Sequence, residues 1–123
     1  MNFEDAIKVH AEWKIKLGSY LKKPDGSLNP SVVEKDNQCE LGKWIYGEGT
    51  KFRSLAEYTA LKTDHAQFHQ CAGAVIRKID AKAGVSEDSL LGMNSEYSKA
   101  SGKVLRAIKA LQAAIPGTKS KAG

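Results

Sequence analysis

No stretch of this 123-residue chain comes near the roughly 20 consecutive apolar residues that a membrane-crossing helix requires, so no membrane insertion is expected. The first residues, Met1, Asn2, Phe3, Glu4 and Asp5, are acidic and lack the basic-then-apolar order of a signal peptide. Cysteine is scarce, with two residues in all, and together with the missing signal pattern this predicts a reducing, cytoplasmic location. Alternating strand patterns are almost absent. Charge of one sign is in modest excess: the net charge is +5, but only two of the nineteen basic residues fall in the tail Lys119 to Lys121 and the rest are scattered. That distribution predicts solvated helix faces and no nucleic-acid partner.

What is present suits one compact helical domain. Hydrophobic residues make up 41% and charged residues 27%, as in ordinary globular proteins. A chain of this length hides about two thirds of its unfolded surface, so it needs no staple merely to fold. We place the domain at residues 1–115 and a flexible basic tail at 116–123. No internal repeat is visible.

Helix patterns run along most of the chain. Phe3, Ile7, His10, Trp13, Leu17 and Leu21 recur at intervals of three and four behind Asn2, a good N-cap, which predicts a first helix from Phe3 to Lys22. Pro24, Asp25 and Gly26 end it, and Pro30 is expected to keep the following residues irregular up to Cys39. Leu41 to Tyr46 predicts a short helix starting at or just after Cys39 and closed by Gly47 and Gly49. Ser54 and Glu57 have the spacing of a capping box for a third helix, whose face is Tyr58, Leu61, His65, Phe68, Ala72, Val75 or Ile76, and Ile79, with Gly84 as its stop. A fourth helix is expected from Ser86 through Leu90, Asn94, Tyr97, Ser101, Val104, Ile108 and Leu111 to Ile115. The fold class is therefore all-α: an antiparallel four-helix bundle of three long helices and one short helix carrying the Cys39 motif.

The three histidines supply the chemistry. His65 and His69 stand four apart, on neighbouring turns of one helix, so both rings can reach one ion. Taken alone that spacing is equally that of two polar surface groups. Both, however, share a face with Leu61, Phe68 and Ala72, and His10 lies on the apolar face of the first helix between Ile7 and Trp13. Buried imidazoles without partners are costly, whereas a metal satisfies one ring nitrogen and leaves the other to donate. Cys39 adds a sulfur. Its bland reading is a small buried loop residue, but its place before a short helix favours a thiolate. Three imidazoles and one thiolate complete a tetrahedral zinc shell. His10, Cys39, His65 and His69 are thus the candidate metal ligands for one zinc ion per chain. Cys71 lies about 200° around the helix from His69 and is not expected to bind.

The set His10 with Trp13, then Cys39, Leu41, Gly42 and Trp44, then His65, Phe68 and His69, resembles the bacterial chemoreceptor zinc-binding domain family. That family's pattern is a histidine with Trp three residues on, a Cys-x-Leu-Gly-x-Trp motif and a later His-x-x-x-His pair, in the same order and separation as here. The resemblance implies a four-helix bundle holding one zinc through three histidines and a cysteine, in a cytoplasmic regulatory domain often attached to chemotaxis receptors or diguanylate cyclases. It also implies homodimers, for which the alanines of the last helix (Ala107, Ala110, Ala113 and Ala114) offer a face. Trp13, Leu41, Gly42 and Trp44 are then packing residues around the motif. The sequence carries neither a receptor coiled coil nor a cyclase domain.

A shell of four protein ligands leaves no open position for water, which argues against a hydrolytic enzyme and for a structural or sensing site. Three histidines without a Glu-x-x-His motif also argue against a di-iron bundle. Cys39 is the ligand able to change state, either by oxidation to a sulfenic acid or by loss of zinc, and family membership implies both kinds of sensing. The competing reading is a helical interaction module in which zinc serves only as a clamp.

Overall fold

A computed structural model of the chain describes residues 2–81 and 86–115. Six α-helices and one 3-10 turn account for most of them, and no strand occurs among the described residues. The order is α1 (Phe3–Lys22), α2 (Pro30–Val33), α3 (Glu40–Tyr46), a 3-10 turn (Glu48–Phe52), α4 (Ala56–Asp80), α5 (Glu87–Leu91) and α6 (Glu96–Ala114). The long rods α1, α4 and α6 pack on one another, while α2 rests on α4, α5 rests on α1 and α6, and α3 packs with the 3-10 turn. No helix among the described residues is long and apolar enough to cross a membrane.

Helix α1 spans the residues its periodicity predicts, and the Asn2 side chain caps it by accepting from the Glu4 and Asp5 backbone N–H groups. Its inner face meets α4 and α6 in a core where Leu17, Leu61, Phe68, Ile76, Val104 and Ile108 are fully shielded from water. Each such side chain contributes roughly 1.5–3 kcal/mol by leaving solvent. The rings of His10 and the pair His65 and His69 stand side by side, while Tyr20, further along α1, donates to Asp80 at the end of α4. Helices α1 and α4 therefore run the same way.

Several local expectations are corrected. Pro30 does not leave the following segment irregular. It occupies the first turn of α2, where its missing N–H costs nothing, and Asn29 caps that helix by accepting from Ser31 N–H. The Ser54–Glu57 capping box does not form, because the N-cap of α4 is Leu55, without a side-chain cap. Helix α4 ends at Asp80, and Gly84 lies outside the described residues, as does the tail 116–123. The expected final helix is two helices. Gly92 takes an extended ψ of 170° and a turn follows, so Asn94 is exposed, and Ser95 restarts the chain as N-cap of α6 by accepting from Ser98 N–H. A Cβ at residue 92 would lie 2.3 Å from the Asp88 carbonyl oxygen, which is why glycine stands at the break. Of the alanines proposed as a dimer face, Ala107 is buried in its own chain's core.

Candidate metal centre

Three elements bring four side chains to one point inside the bundle. The middle of α1 supplies His10, the middle of α4 supplies His65 and His69, and the N-cap of α3 supplies Cys39. One ligand atom from each lies within 4.8 Å of every other. The histidines are almost wholly buried, with 1%, 0% and 4% of His10, His65 and His69 exposed. Phe68 walls the cluster with its ring edge-on to both His10 and His69.

The short helix is built around the cysteine. Cys39 has the extended backbone of an N-cap residue, with φ −83° and ψ 165°, and its sulfur accepts from the Gly42 N–H at 3.4 Å, the role a serine or aspartate oxygen usually fills. Gly42 is required by its own preceding loop: an added Cβ would sit 1.8 Å from the Asp36 carbonyl oxygen. Leu41 is buried in the core, and Trp44 packs edge-on against Phe3 and stacks on Phe52. Trp13 is half-buried against the core beneath the Lys16 ammonium.

Hydrogen bonds fix which ring nitrogens face the centre. His10 Nδ1 donates to the Ala6 carbonyl at 2.7 Å, and His69 Nδ1 donates to the Val33 carbonyl at 2.8 Å. A carbonyl only accepts, so both rings carry their proton on Nδ1 and turn an Nε2 lone pair inward. His65 Nδ1 is buried with no partner among the described residues. The Cys39 sulfur stands 3.2, 3.6 and 4.0 Å from Nε2 of His65, His69 and His10, and the His65 and His69 Nε2 atoms are 3.0 Å apart. Ordinary Zn–N and Zn–S bonds in a tetrahedron place N···N at about 3.3 Å and N···S at about 3.6 Å. The donor set fits a zinc ion, with His65, His69 and Cys39 close to that spacing and His10, 4.0 Å from the sulfur, standing slightly wider.

Burial sets the protonation states. It lowers the pKa of His10 to about 4 and of His65 to about 2, with neighbouring imidazoles adding to the effect, and it lowers that of His69 despite the Val33 carbonyl. All three are thus held neutral, the form that binds metals. The cysteine departs from expectation. Burial pushes its thiol above the usual range and outweighs the backbone N–H groups of Gly42 and Leu41, so the helix start alone does not produce a thiolate, whereas a bound cation would.

Sequence reasoning pointed to all four clustered side chains and set Cys71 apart. Cys71 is half-buried elsewhere on α4, within reach of the Gln67 amide and outside the cluster. What it missed are the carbonyls of Ala6 and Val33, which no residue-type pattern encodes. Only the position of His10 four residues after Ala6 hinted at the first. A cavity of about 250 Å³, walled by Ala6, Val9 and Leu41, opens onto His10 and Cys39.

Searches of curated proteins and of solved structures gave no match to the chain. The family model of the chemoreceptor zinc-binding domain matches residues 10–76, a span that begins at His10 and takes in Cys39, His65 and His69. With over half its length matched and a His3Cys cluster of zinc-like spacing inside that match, the chain belongs to the chemoreceptor zinc-binding domain family.

Proposed function

We propose that residues 1–115 form a regulatory domain in which His10, Cys39, His65 and His69 hold one zinc ion, with Cys39 as the ligand that responds to oxidant or to zinc supply. The observation that carries this reading is the convergence of three inward Nε2 atoms and one sulfur in a buried pocket. When bound, zinc supplies the positive charge that keeps sulfur as thiolate and ties α1, α3 and α4 together. With all four positions taken by protein, nothing is left for a substrate water, and the role is regulation rather than catalysis.

The chain's own residues make Cys39 responsive. The cavity beside His10 gives a small molecule a path to the sulfur. The Cys39 thiolate takes one oxygen atom from a hydroperoxide, becoming a sulfenate while the peroxide leaves as the alcohol. A sulfenate binds metal less well and no longer presents a bare sulfur to the Gly42 N–H, so the cap of α3 is lost together with its tie to α4. In a cytoplasmic setting the output passes to a chemotaxis receptor or a diguanylate cyclase, with the domain acting as a homodimer.

Native mass spectrometry with metal analysis tests the reading. Wild type and Cys71→Ser carry one zinc per chain, Cys39→Ser carries little, and peroxide releases zinc from wild type. Full zinc content in Cys39→Ser, with no release by peroxide, would overturn it.

A further inference from the structure

Three residues of α4 spaced four apart, His69, Gly73 and Arg77, form one stripe along the helix, and each of them meets α2 or the residue that caps it. His69 Nδ1 donates to the Val33 carbonyl at 2.8 Å. Gly73 faces the next turn of that segment, where an added Cβ would come within 2.9 Å of Glu34 Cβ and 3.3 Å of the Pro30 carbonyl oxygen. Arg77 grips the Glu34 carboxylate with two parallel hydrogen bonds of 2.7 and 3.0 Å. Helix α2 is only four residues long and has no buried residue of its own, so its position depends on what it rests against.

We propose that Gly73 and Arg77 are positioning residues of the metal centre: they seat α2 on α4 so that the Val33 carbonyl holds the His69 ring in the orientation that turns Nε2 to the metal. The inference rests on the zinc reading of His69. A carbonyl that orients a ligand imidazole fixes its tautomer and raises its basicity, and the loss of such a partner typically weakens metal binding by about 10-fold to 100-fold. Gly73 controls the approach distance. Glu34 Cβ is fixed to the α2 backbone and cannot rotate away, so a methyl at residue 73 lifts the whole segment and draws the Val33 carbonyl off His69. The Arg77–Glu34 pair is about half exposed, with side chains 48% and 37% accessible, and its contribution is correspondingly small.

The stripe also separates His69 from its fellow ligands. His10 is anchored within its own helix by Ala6, four residues back, and His65 has no Nδ1 partner among the described residues. Among the described residues His69 alone of the three is oriented by a different element, so it is the ligand that registers where α2 sits.

Zinc affinity by chelator competition, together with imidazole nitrogen NMR of the metal-free chain, tests the proposal. Wild type without metal shows a His69 Nδ1–H protected from exchange. Gly73→Ala loses that protection and binds zinc about 10-fold more weakly, although alanine favours the helix and the helix signal of the metal-free chain is unchanged. Arg77→Met weakens zinc by no more than about threefold, and the exchanged pair Glu34→Arg with Arg77→Glu restores it. A Gly73→Ala chain with wild-type zinc affinity, or a wild-type His69 protonated on Nε2, overturns the proposal alone. A wild-type chain that takes up no zinc overturns the metal reading and this one with it.

Discussion

Gly42 passes so close to Asp36 that a methyl group on it would stand 1.8 Å from the Asp36 carbonyl oxygen and 2.8 Å from its carbonyl carbon. This contact folds the loop before α3 back over the helix start and leaves the Gly42 N–H pointing at the Cys39 sulfur. Helix start, loop and candidate ligand are set by one missing side chain.

Gly42→Ala is therefore expected to destabilise the zinc-loaded chain by roughly 1–3 kcal/mol, as overpacking does, even though alanine is the better helix former. Urea unfolding in the presence of zinc measures the loss, and metal analysis should show weaker retention. A variant as stable as wild type would mean that the loop yields without cost.

Removal of zinc by a chelator should leave most of the helix signal in place. The core formed by Leu17, Leu61, Ile76 and Ile108 is apolar and fully buried, so hydrophobic burial is expected to hold it without the ion. Hydrogen exchange is expected to quicken over residues 29–46, where α2 and α3 are short and lean on the centre, and to stay slow in α4 and α6. Equal acceleration along the whole chain would show instead that the metal holds up the entire fold.

The metal-free chain should lose stability as pH falls below neutrality. An unfolded histidine takes up its proton near pH 6.5, whereas folded His10 resists to about 4 and His65 to about 2. Between these values the unfolded state holds more protons, so stability is complete above about pH 6.5 and declines through 4 and below. At about 1.4 kcal/mol per pKa unit the loss amounts to several kcal/mol. Urea midpoints recorded from pH 7 to pH 4.5 in chelator check the sign, and a flat profile contradicts it.

Tyr97→Phe should be neutral or stabilising. The Tyr97 hydroxyl is buried without a hydrogen-bond partner among the described residues, and such a group costs about 1–3 kcal/mol. A rise in the thermal midpoint with unchanged zinc content is the expected result. A marked fall would reveal an ordered water bonded to the hydroxyl.

The candidate site was more legible in the sequence than the path of the chain around it. His65 and His69 declare themselves because four residues make about one helical turn, and His10 because it interrupts an apolar face. The break of the last helix was hidden: Leu90, Tyr97, Val104 and Ile108 keep helical spacing across Gly92, and periodicity alone cannot tell a continuous rod from two rods in phase. Asn29 and Pro30 did carry the signal of α2, an N-cap followed by a first-turn proline, beneath the stronger habit of reading proline as a breaker.

By itself the sequence determined that the chain is helical, which faces are apolar, and that three imidazoles and one thiol lie on or beside those faces. These are properties of local spacing and residue type. Only the tertiary structure decided that the four candidate ligand atoms meet, that burial holds the imidazoles neutral while opposing the thiolate, and that the carbonyls of Ala6 and Val33 turn two rings inward. The reason is physical: desolvation arises only when other elements cover a group, and Val33 comes within reach of His69 through a gap of 36 residues that only packing closes.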